Sequence, residues 1–449
     1  MNSRRLEENF KEKLRELVKK VSQKKEEENF VLEFRQKSLE EFFRLPMPDF
    51  GPDLSKIDFE SIEYYIDPKT SKKRNWEDVP EDIKETFEKL GIPEAERKFF
   101  AGVETQFDSE VIYSKAKEYI ESLGVIFLDT DSAIKKYPEI FKKYFGKIVP
   151  PNDNKFAALN SAFFSGGTFI FIPEGIKVDL PLQAYFWMNS EKLGQFERTL
   201  IIAEKDSYLH YIEGCTAPTY KSASLHAAVV EIFVGENAKV QYTTIQNWSG
   251  NIFNLVTKRA LVEKNGTMEW VDGNIGSMIT MKYPACILKG ENSHGEMISL
   301  SSAKKGQFQD TGTRMIHVGE NSTSRVIAKS ICKEGGVTNY RGTIRILKSA
   351  KDSQSIVNCD SIILDGISKA GTFPKNSCEN SSSKIQHEAS ASRIDEKKIF
   401  FLKSRGLKEE NARSLVVKGF FDPIIKKLPL EYAIEMQRLI EMEVEGSFC

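Results

Sequence analysis

Cysteine and histidine are sparse in this 449-residue chain, and neither is clustered. The six cysteines are Cys215, Cys286, Cys332, Cys359, Cys378 and Cys449, with no C-x-x-C pair, and the five histidines are His210, His226, His294, His317 and His387. Zinc-finger and zincin spacings are thereby excluded, and isolated cysteines in a large chain behave as small buried hydrophobes unless their surroundings activate them. A phosphate-binding G-x-x-x-x-G-K-[ST] loop is also missing: Gly290 and Gly295 have its first spacing, but Glu296 stands where Lys is required. No apolar run approaches the roughly 20 residues that span a bilayer, and Met1 to Lys25 is charged and helix-forming, unlike a signal peptide. The formal net charge of -1 removes a general electrostatic case for nucleic acid or a membrane surface. These absences predict an intracellular protein, cytoplasmic or, if encoded in an organelle, in a plastid stroma, with no nucleotide-hydrolysing loop of its own.

What the chain does contain is a repeat. A charged residue, then Asp or Asn, then a small residue recurs at Lys205-Asp206-Ser207, Glu236-Asn237-Ala238, Lys264-Asn265-Gly266, Glu291-Asn292-Ser293, Glu320-Asn321-Ser322 and Lys351-Asp352-Ser353. The Asp/Asn positions are 31, 28, 27, 29 and 31 residues apart. Each mark ends a short apolar run and is followed by alternating positions such as Val240-Gln241-Tyr242-Thr243-Thr244-Ile245. Asn and Asp suit corners because their side chains bond nearby backbone and tolerate left-handed geometry. A constant period near this length indicates a stacked architecture. An antiparallel meander or sandwich is the competing arrangement. The even punctuation, with Asn265-Gly266 as the sole two-residue hairpin candidate, favours a parallel β-helix.

Around this core the pattern is helical. Residues 2 to 45 carry apolar positions at helical spacing, stopped by Pro46 and Pro48, and predict an amphipathic helix or a pair of helices. Helical pattern returns from Val79-Pro80 and again over Asp108 to Leu123 and Asp131 to Phe145. A boundary falls at Pro150-Pro151-Asn152-Asp153-Asn154, and strand-rich sequence then persists to about Ile394. Beyond Asp395, helices are expected over Glu396 to Lys403, Lys408 to Lys418 and Leu430 to Glu443, with Gly406, Gly419 and Pro429 as breakers. This end piece is expected to cover the last coil and block its free edge. The expected fold is mainly β, a right-handed parallel β-helix core over 151–394, flanked by helical domains at 1–150 and 395–449.

Two places could carry chemistry. Cys215, in Glu213-Gly214-Cys215-Thr216-Ala217-Pro218, is placed by Gly and Pro at a strand end or turn, where a thiol is more available than in a packed strand. Cys359 and His387-Glu388 are separated by close to one repeat, so that on adjacent coils they could touch. Thiolate, imidazole and carboxylate together suit a transition metal, and thiolate favours iron or other soft-binding metals. Three such groups are too few to enclose an iron–sulfur cluster, so a partner completes the site or the cluster is meant to leave.

The chain resembles the SufB/SufD family of iron–sulfur cluster assembly scaffolds, and the SufB type within it, from about residue 25 to the C terminus. The segments that carry the resemblance are Pro151 to Asn160, Gly194-Gln195-Phe196-Glu197-Arg198-Thr199-Leu200, Glu213 to Pro218, Gln246-Asn247-Trp248, Val256-Thr257-Lys258-Arg259-Ala260, Cys359-Asp360-Ser361, His387-Glu388-Ala389 and Leu428-Pro429-Leu430-Glu431-Tyr432-Ala433. The resemblance implies a β-helix between helical domains and a complex with a SufD-type paralogue, or a second SufB copy, and a SufC-type ABC ATPase docked on residues 395–449. It implies that Cys215 accepts persulfide sulfur from a SufS-type desulfurase through a SufE- or SufU-type carrier. Cys359, His387 and Glu388 would hold a nascent cluster, 4Fe-4S or 2Fe-2S, at the interface between scaffold subunits. Asn189, Gln246, Trp248 and Lys258 match positions lining the family's internal sulfur path.

Two departures stand out. Trp187 occupies a position where relatives typically have Arg, removing a positive charge that could steady a persulfide, and Gln386 is acidic in some relatives. Cys286, Cys332, Cys378 and Cys449 receive no role. Two other function classes remain open: a SufD-like structural paralogue, which retention of both Cys215 and Cys359 argues against, and a β-helix carbohydrate-active enzyme, which would want an exposed carboxylate cluster that does not stand out.

Overall fold

A computed structural model describes residues 2–65, 119–187, 194–216, 223–426, 433 and 437–438. The helical pattern expected between residues 79 and 118, the helix expected over 430–443, Asn189 and Cys449 lie wholly or largely outside the described residues.

The repeat becomes a parallel β-solenoid. Its described strands form two sheets, one of 12 and one of 8 strands, between which the chain passes back and forth, and strands pair with those one coil away. Among the described residues all strand pairings are parallel except that of Ile126–Asp129 with Thr168–Ile172, so one short segment before Pro150 joins the sheet antiparallel. The corners are the Asp/Asn marks. Asp206, Asn237, Asn265, Asn292, Asn321 and Asp352 all adopt φ between 53° and 57°, the left-handed region these residues tolerate. Their side chains form a ladder along the corner: Asn237 Nδ2 donates to Asp206 Oδ1 at 2.7 Å, Asn265 Nδ2 to Asn237 Oδ1 at 2.9 Å, and Asn292 Nδ2 to Asn265 Oδ1 at 3.1 Å. Asn265-Gly266 is thus a coil corner and not a hairpin.

Between the sheets, residues in register stack rung on rung. Tyr211, Tyr242 and Trp270 are successive register partners, with ring centroids 5.0 and 5.2 Å apart, and Met297, Val326 and Val357 continue the column. A glycine is required where the coil turns tightly: Gly276 has φ of 77°, and a Cβ there would collide with the Trp248 carbonyl.

At the N-terminal side, residues 2–45 form two helices, Asn2–Lys24 and Asn29–Arg44, as the periodicity predicts. The boundary at Pro150–Asn154 is followed at once by the helix Lys155–Phe163, capped by Asn154, which accepts from the Phe156 and Ala157 amides at 3.0 and 2.9 Å. Phe156 through Phe163 are all buried. The fully buried Arg198 and Glu231 pair at 2.7 Å beneath it, and Glu231 also accepts from the amides of Gly146, Ile148 and Val149.

The described part of the C-terminal piece departs from expectation at Gly419. Its second helix, Glu409–Ile425, runs straight through Gly419. Val417, Phe421 and Ile424 bury against Ile245, Val271 and Ile298, and this packing outweighs the roughly 1 kcal/mol penalty of a helical glycine. Ile245, Val271 and Ile298 lie on the outer face of the 8-stranded sheet, so the described helices Glu396–Ser404 and Glu409–Ile425 lie along the side of the solenoid. The last strands, Lys369–Cys378 and Lys384–Arg393, are exposed over most of their length. Gly406, at φ 91°, does end the first of these helices.

Candidate functional site

Strand parity decides what faces the interior. In Tyr208–Thr216, alternation sends Tyr211, Glu213 and Cys215 inward together. Cys215 is at a strand end, as expected, but it is not available at a turn: it is 2% exposed and packs with Phe186, Trp248 and Ile252. Burial drives its thiol well above the ordinary range. Glu213 and Glu197 reinforce this, while Lys258 and Lys282 oppose it. The thiol donates to Glu213 Oε1 at 3.8 Å, and Glu213 Oε2 accepts from the Tyr242 hydroxyl at 2.5 Å.

Beside Cys215 lies a buried charge cluster assembled from several coils. Cys215 is the register partner of Gln246 on the next coil. Gln246 Oε1 accepts from Lys282 Nζ at 3.1 Å and from Asn254 Nδ2 at 2.9 Å. Lys282 and Lys258 share Asp272, at 3.2 and 3.4 Å, and Lys258 also donates to Thr244 and lies 4.5 Å from the Tyr242 ring centroid. Asp272 and both lysine side chains are fully enclosed. Burial would push Asp272 up, but the two lysines outweigh it and hold the carboxyl low. Burial lowers Lys282 to about 8 despite Asp272. On the other side, His226 Nδ1 is 2.7 Å from Asn254 Oδ1 and its Nε2 is 2.9 Å from Glu197 Oε2. Burial disfavours the His226 cation, yet Glu197 and Asn254 outweigh it and the net shift is upward. The His226 and Trp248 ring centroids are 4.7 Å apart. Gln246 Nε2 and Trp248 Nε1 are buried with no hydrogen-bond partner among the described residues.

From here a polar interior leads along the solenoid. The Cys215 column continues through Gln246, Asn274, Ser301, Ser330 and Ser361. The column beside it runs Glu213, Thr244, Asp272, Ser299, Ala328, Cys359. Facing residues of the other sheet close across it, Ser301 to Thr311 at 3.1 Å and Ser330 to Thr338 at 3.2 Å. The two cysteines therefore sit on strands next to the first and next to the last of the 8-stranded sheet, five strand steps apart. At the usual strand spacing this is about 24 Å.

At the far end Cys359, 3% exposed, has its Sγ 3.9 Å from His387 Nε2. Burial raises the Cys359 thiol to about 12, with Asp360 adding and Tyr340 subtracting, and burial lowers His387, which keeps the imidazole neutral. His387 is half-buried on the edge strand and faces the Tyr340 ring at 6.5 Å. Glu388 is not brought to this pair. Alternation turns it to the opposite face of the edge strand, exposed, where Gln386 Nε2 donates to its Oε1 at 2.8 Å. Among the described residues no three His, Cys, Asp or Glu side chains are placed to hold a metal ion.

Of the expected site residues, Cys215, Gln246, Trp248 and Lys258 come together at one end and Cys359 with His387 at the other. The Trp187 backbone pairs with Thr216, next to Cys215. Cys286 and Cys332 are buried and Cys378 is exposed. The sequence reading passed over Glu213, His226, Asn254, Asp272 and Lys282. The signal for Glu213 was its spacing of two from Cys215, which is one face of a strand. The signal for Lys282 was a lone lysine between Ile279-Thr280-Met281 and Tyr283-Pro284.

The fold is a parallel solenoid with a thiol near each end of a largely polar interior, the second beside an imidazole on the last described strand of its sheet. Residues 186–420 match the family described as SUF system FeS cluster assembly, SufBD core domain, and residues 7–184 match the SufBD protein N-terminal region. The chain is 52% identical over 433 residues to the iron–sulfur cluster assembly protein SufB of Bacillus subtilis, covering 96% of this chain and 93% of that protein. It is also 52% identical over 431 residues to a SufBD family protein of Staphylococcus saprophyticus and 53% identical over 431 residues to one of Staphylococcus aureus strain MRSA252, with the same coverage of 96% and 93%. The chain belongs to the SufBD family of iron–sulfur cluster assembly proteins, and is of the SufB type.

Proposed function

We propose that this protein is the scaffold on which a nascent iron–sulfur cluster is built, with Cys215 as the persulfide acceptor and Cys359 with His387 as ligands to the cluster. The observation that carries this reading is the pair of adjacent, largely polar columns that run between the two buried thiols, one starting at Cys215 and the other ending at Cys359, which meets His387 on the last described strand of the 8-stranded sheet. Gln246, Trp248 and Lys258 line the start of that column, with Asn189 as a further expected member. Sulfur would be supplied by a SufS-type desulfurase through a SufE- or SufU-type carrier.

The nascent cluster is cargo, and a two-residue ligand set suits cargo: it binds iron without enclosing it. The open strands Lys369–Cys378 and Lys384–Arg393 present unpaired backbone to a SufD-type partner or a second copy, which would complete the ligand set. Glu388, on the outer face, joins that set only if the edge strand rearranges against the partner. The SufC-type ATPase is assigned to the C-terminal helices, where Phe400, Phe401 and Leu415 are 73%, 57% and 50% exposed.

The test is anaerobic reconstitution with iron and sulfide of the chain co-expressed with these partners, comparing wild type and Cys359→Ala by visible absorption and Mössbauer spectroscopy. A cluster in the first and none in the second is expected. Equal cluster yield in both refutes the site.

A further inference from the structure

We propose that Glu213 is the catalytic base that takes the proton from Cys215 as that thiol accepts sulfur; this rests on the reading of Cys215 as the acceptor. Three observations carry it. Glu213 and Cys215 lie two apart on one strand and face inward together, and the thiol already donates to Glu213 Oε1 at 3.8 Å. The second carboxylate oxygen is held by the Tyr242 hydroxyl at 2.5 Å, which fixes the orientation of the first. Glu213 and Cys215 are 6% and 2% exposed, so bulk water is a poor competitor for the proton.

The charges of the enclosure support the same assignment. The buried carboxylates here are Glu197, Glu213 and Asp272, and the buried bases are His226, Lys258 and Lys282. Passing a proton from Cys215 to Glu213 leaves the net charge of the enclosure, Cys215 included, unchanged, whereas releasing it would leave an uncompensated buried anion. The ionised sulfur then has Lys258 and Lys282 as the nearby groups that favour its charge, and the carboxylate that opposed it has been neutralised.

In the step itself, the Cys215 sulfur attacks the terminal sulfur of a persulfide R–S–S–H. The S–S bond of the donor persulfide breaks, a new S–S bond to Cys215 forms, and R–S⁻ leaves. The proton taken by Glu213 is returned to R–S⁻, giving R–SH and a Cys215 persulfide with no net oxidation or reduction.

The experiment follows alkylation of Cys215 by iodoacetamide, read by mass spectrometry of its peptide on the folded full-length chain between pH 6 and 9. In Glu213→Gln the amide oxygen can still accept from Tyr242, so the fold is preserved while the base is lost. The rate at pH 7 should fall at least about tenfold, at the low end of what general bases supply, and the variant's rate should climb with pH across the range. A merely electrostatic role predicts the reverse sign, because removing a negative charge beside the thiol eases its ionisation. An unchanged or faster rate overturns the proposal. Tyr242→Phe provides a second reading: without the phenol the carboxylate is no longer held against the thiol and the rate should fall, whereas an unchanged rate overturns the assignment. Loading Cys215 from a persulfide-bearing carrier separates the two claims. If wild type alkylates with base assistance but never acquires a persulfide, Cys215 is not the acceptor and the Glu213–Cys215 acid–base pair still stands.

Discussion

Cys359 and His387 meet diagonally. The backbone partner of Cys359 is Ala389 and that of His387 is Val357, yet both side chains point inward, two positions apart in register, and their Sγ and Nε2 atoms come within 3.9 Å. The contact therefore depends on the last strand holding its register. Replacing His387 with alanine should leave the solenoid folded, because the residue is only half-buried on an edge strand. Iron retained by the reconstituted complex should fall at least about tenfold, the scale seen when even an outer partner of a metal ligand is lost. Iron content by mass spectrometry with circular dichroism on the same sample checks both halves.

Asp272 lies between two enclosed lysines, at 3.4 Å from Lys258 and 3.2 Å from Lys282. Asp272→Asn leaves both cations without their carboxylate and should destabilise the protein by about 3–5 kcal/mol. Adding Lys282→Met should restore part of that loss, since one buried charge is then gone. Urea denaturation of the two single variants and the double variant reads the coupling, and strict additivity would show that the three groups do not act as a unit.

The corner ladder yields a different contrast. Asn265 holds φ at 53° and is bonded on both sides, to Asn237 and to Asn292. Asn265→Ala loses the bonds and strains the backbone, for a cost of about 2 kcal/mol, whereas Asn265→Gly loses only the bonds and should cost less. Denaturation midpoints in the order wild type, glycine, alanine are expected.

Acid should weaken the fold through His317. Its ring nitrogens are 2.9 Å from the hydroxyls of Ser322 and Ser324, and burial lowers its pKa to about 4. The folded state therefore binds fewer protons than the unfolded one between pH 6.5 and 4. The stabilisation is complete above pH 6.5 and declines as pH falls, by about 3 kcal/mol at pH 4. His226, whose pKa is raised, acts in the opposite sense, contributing below pH 6.5 and losing its contribution as pH rises. His317→Gln should melt with a shallower dependence on pH over this window, by calorimetry.

Much of this architecture was legible before any coordinates. Six Asp/Asn corners predicted six left-handed residues, and the separation of Cys359 from His387 by one coil predicted their contact. What was misread has physical causes. Cys215 was judged available from its flanking Gly and Pro, but parity within Tyr208–Thr216 turns it into the interior. Gly419 was expected to break a helix whose continuation is bought by Val417, Phe421 and Ile424 against the outer sheet face. That same contact places the described C-terminal helices along the side of the solenoid.

The sequence by itself determined the coil length, the corners and the inward or outward parity of each strand, because these depend on the φ preference of single residues and on alternation over a few positions. Only the tertiary structure decided that Glu213 faces Cys215 within a closed interior and that Lys258, Asp272 and Lys282 converge beside them. Those residues are far apart in the chain, and their meeting depends on how each coil closes on the next, a long-range packing outcome that no local preference encodes.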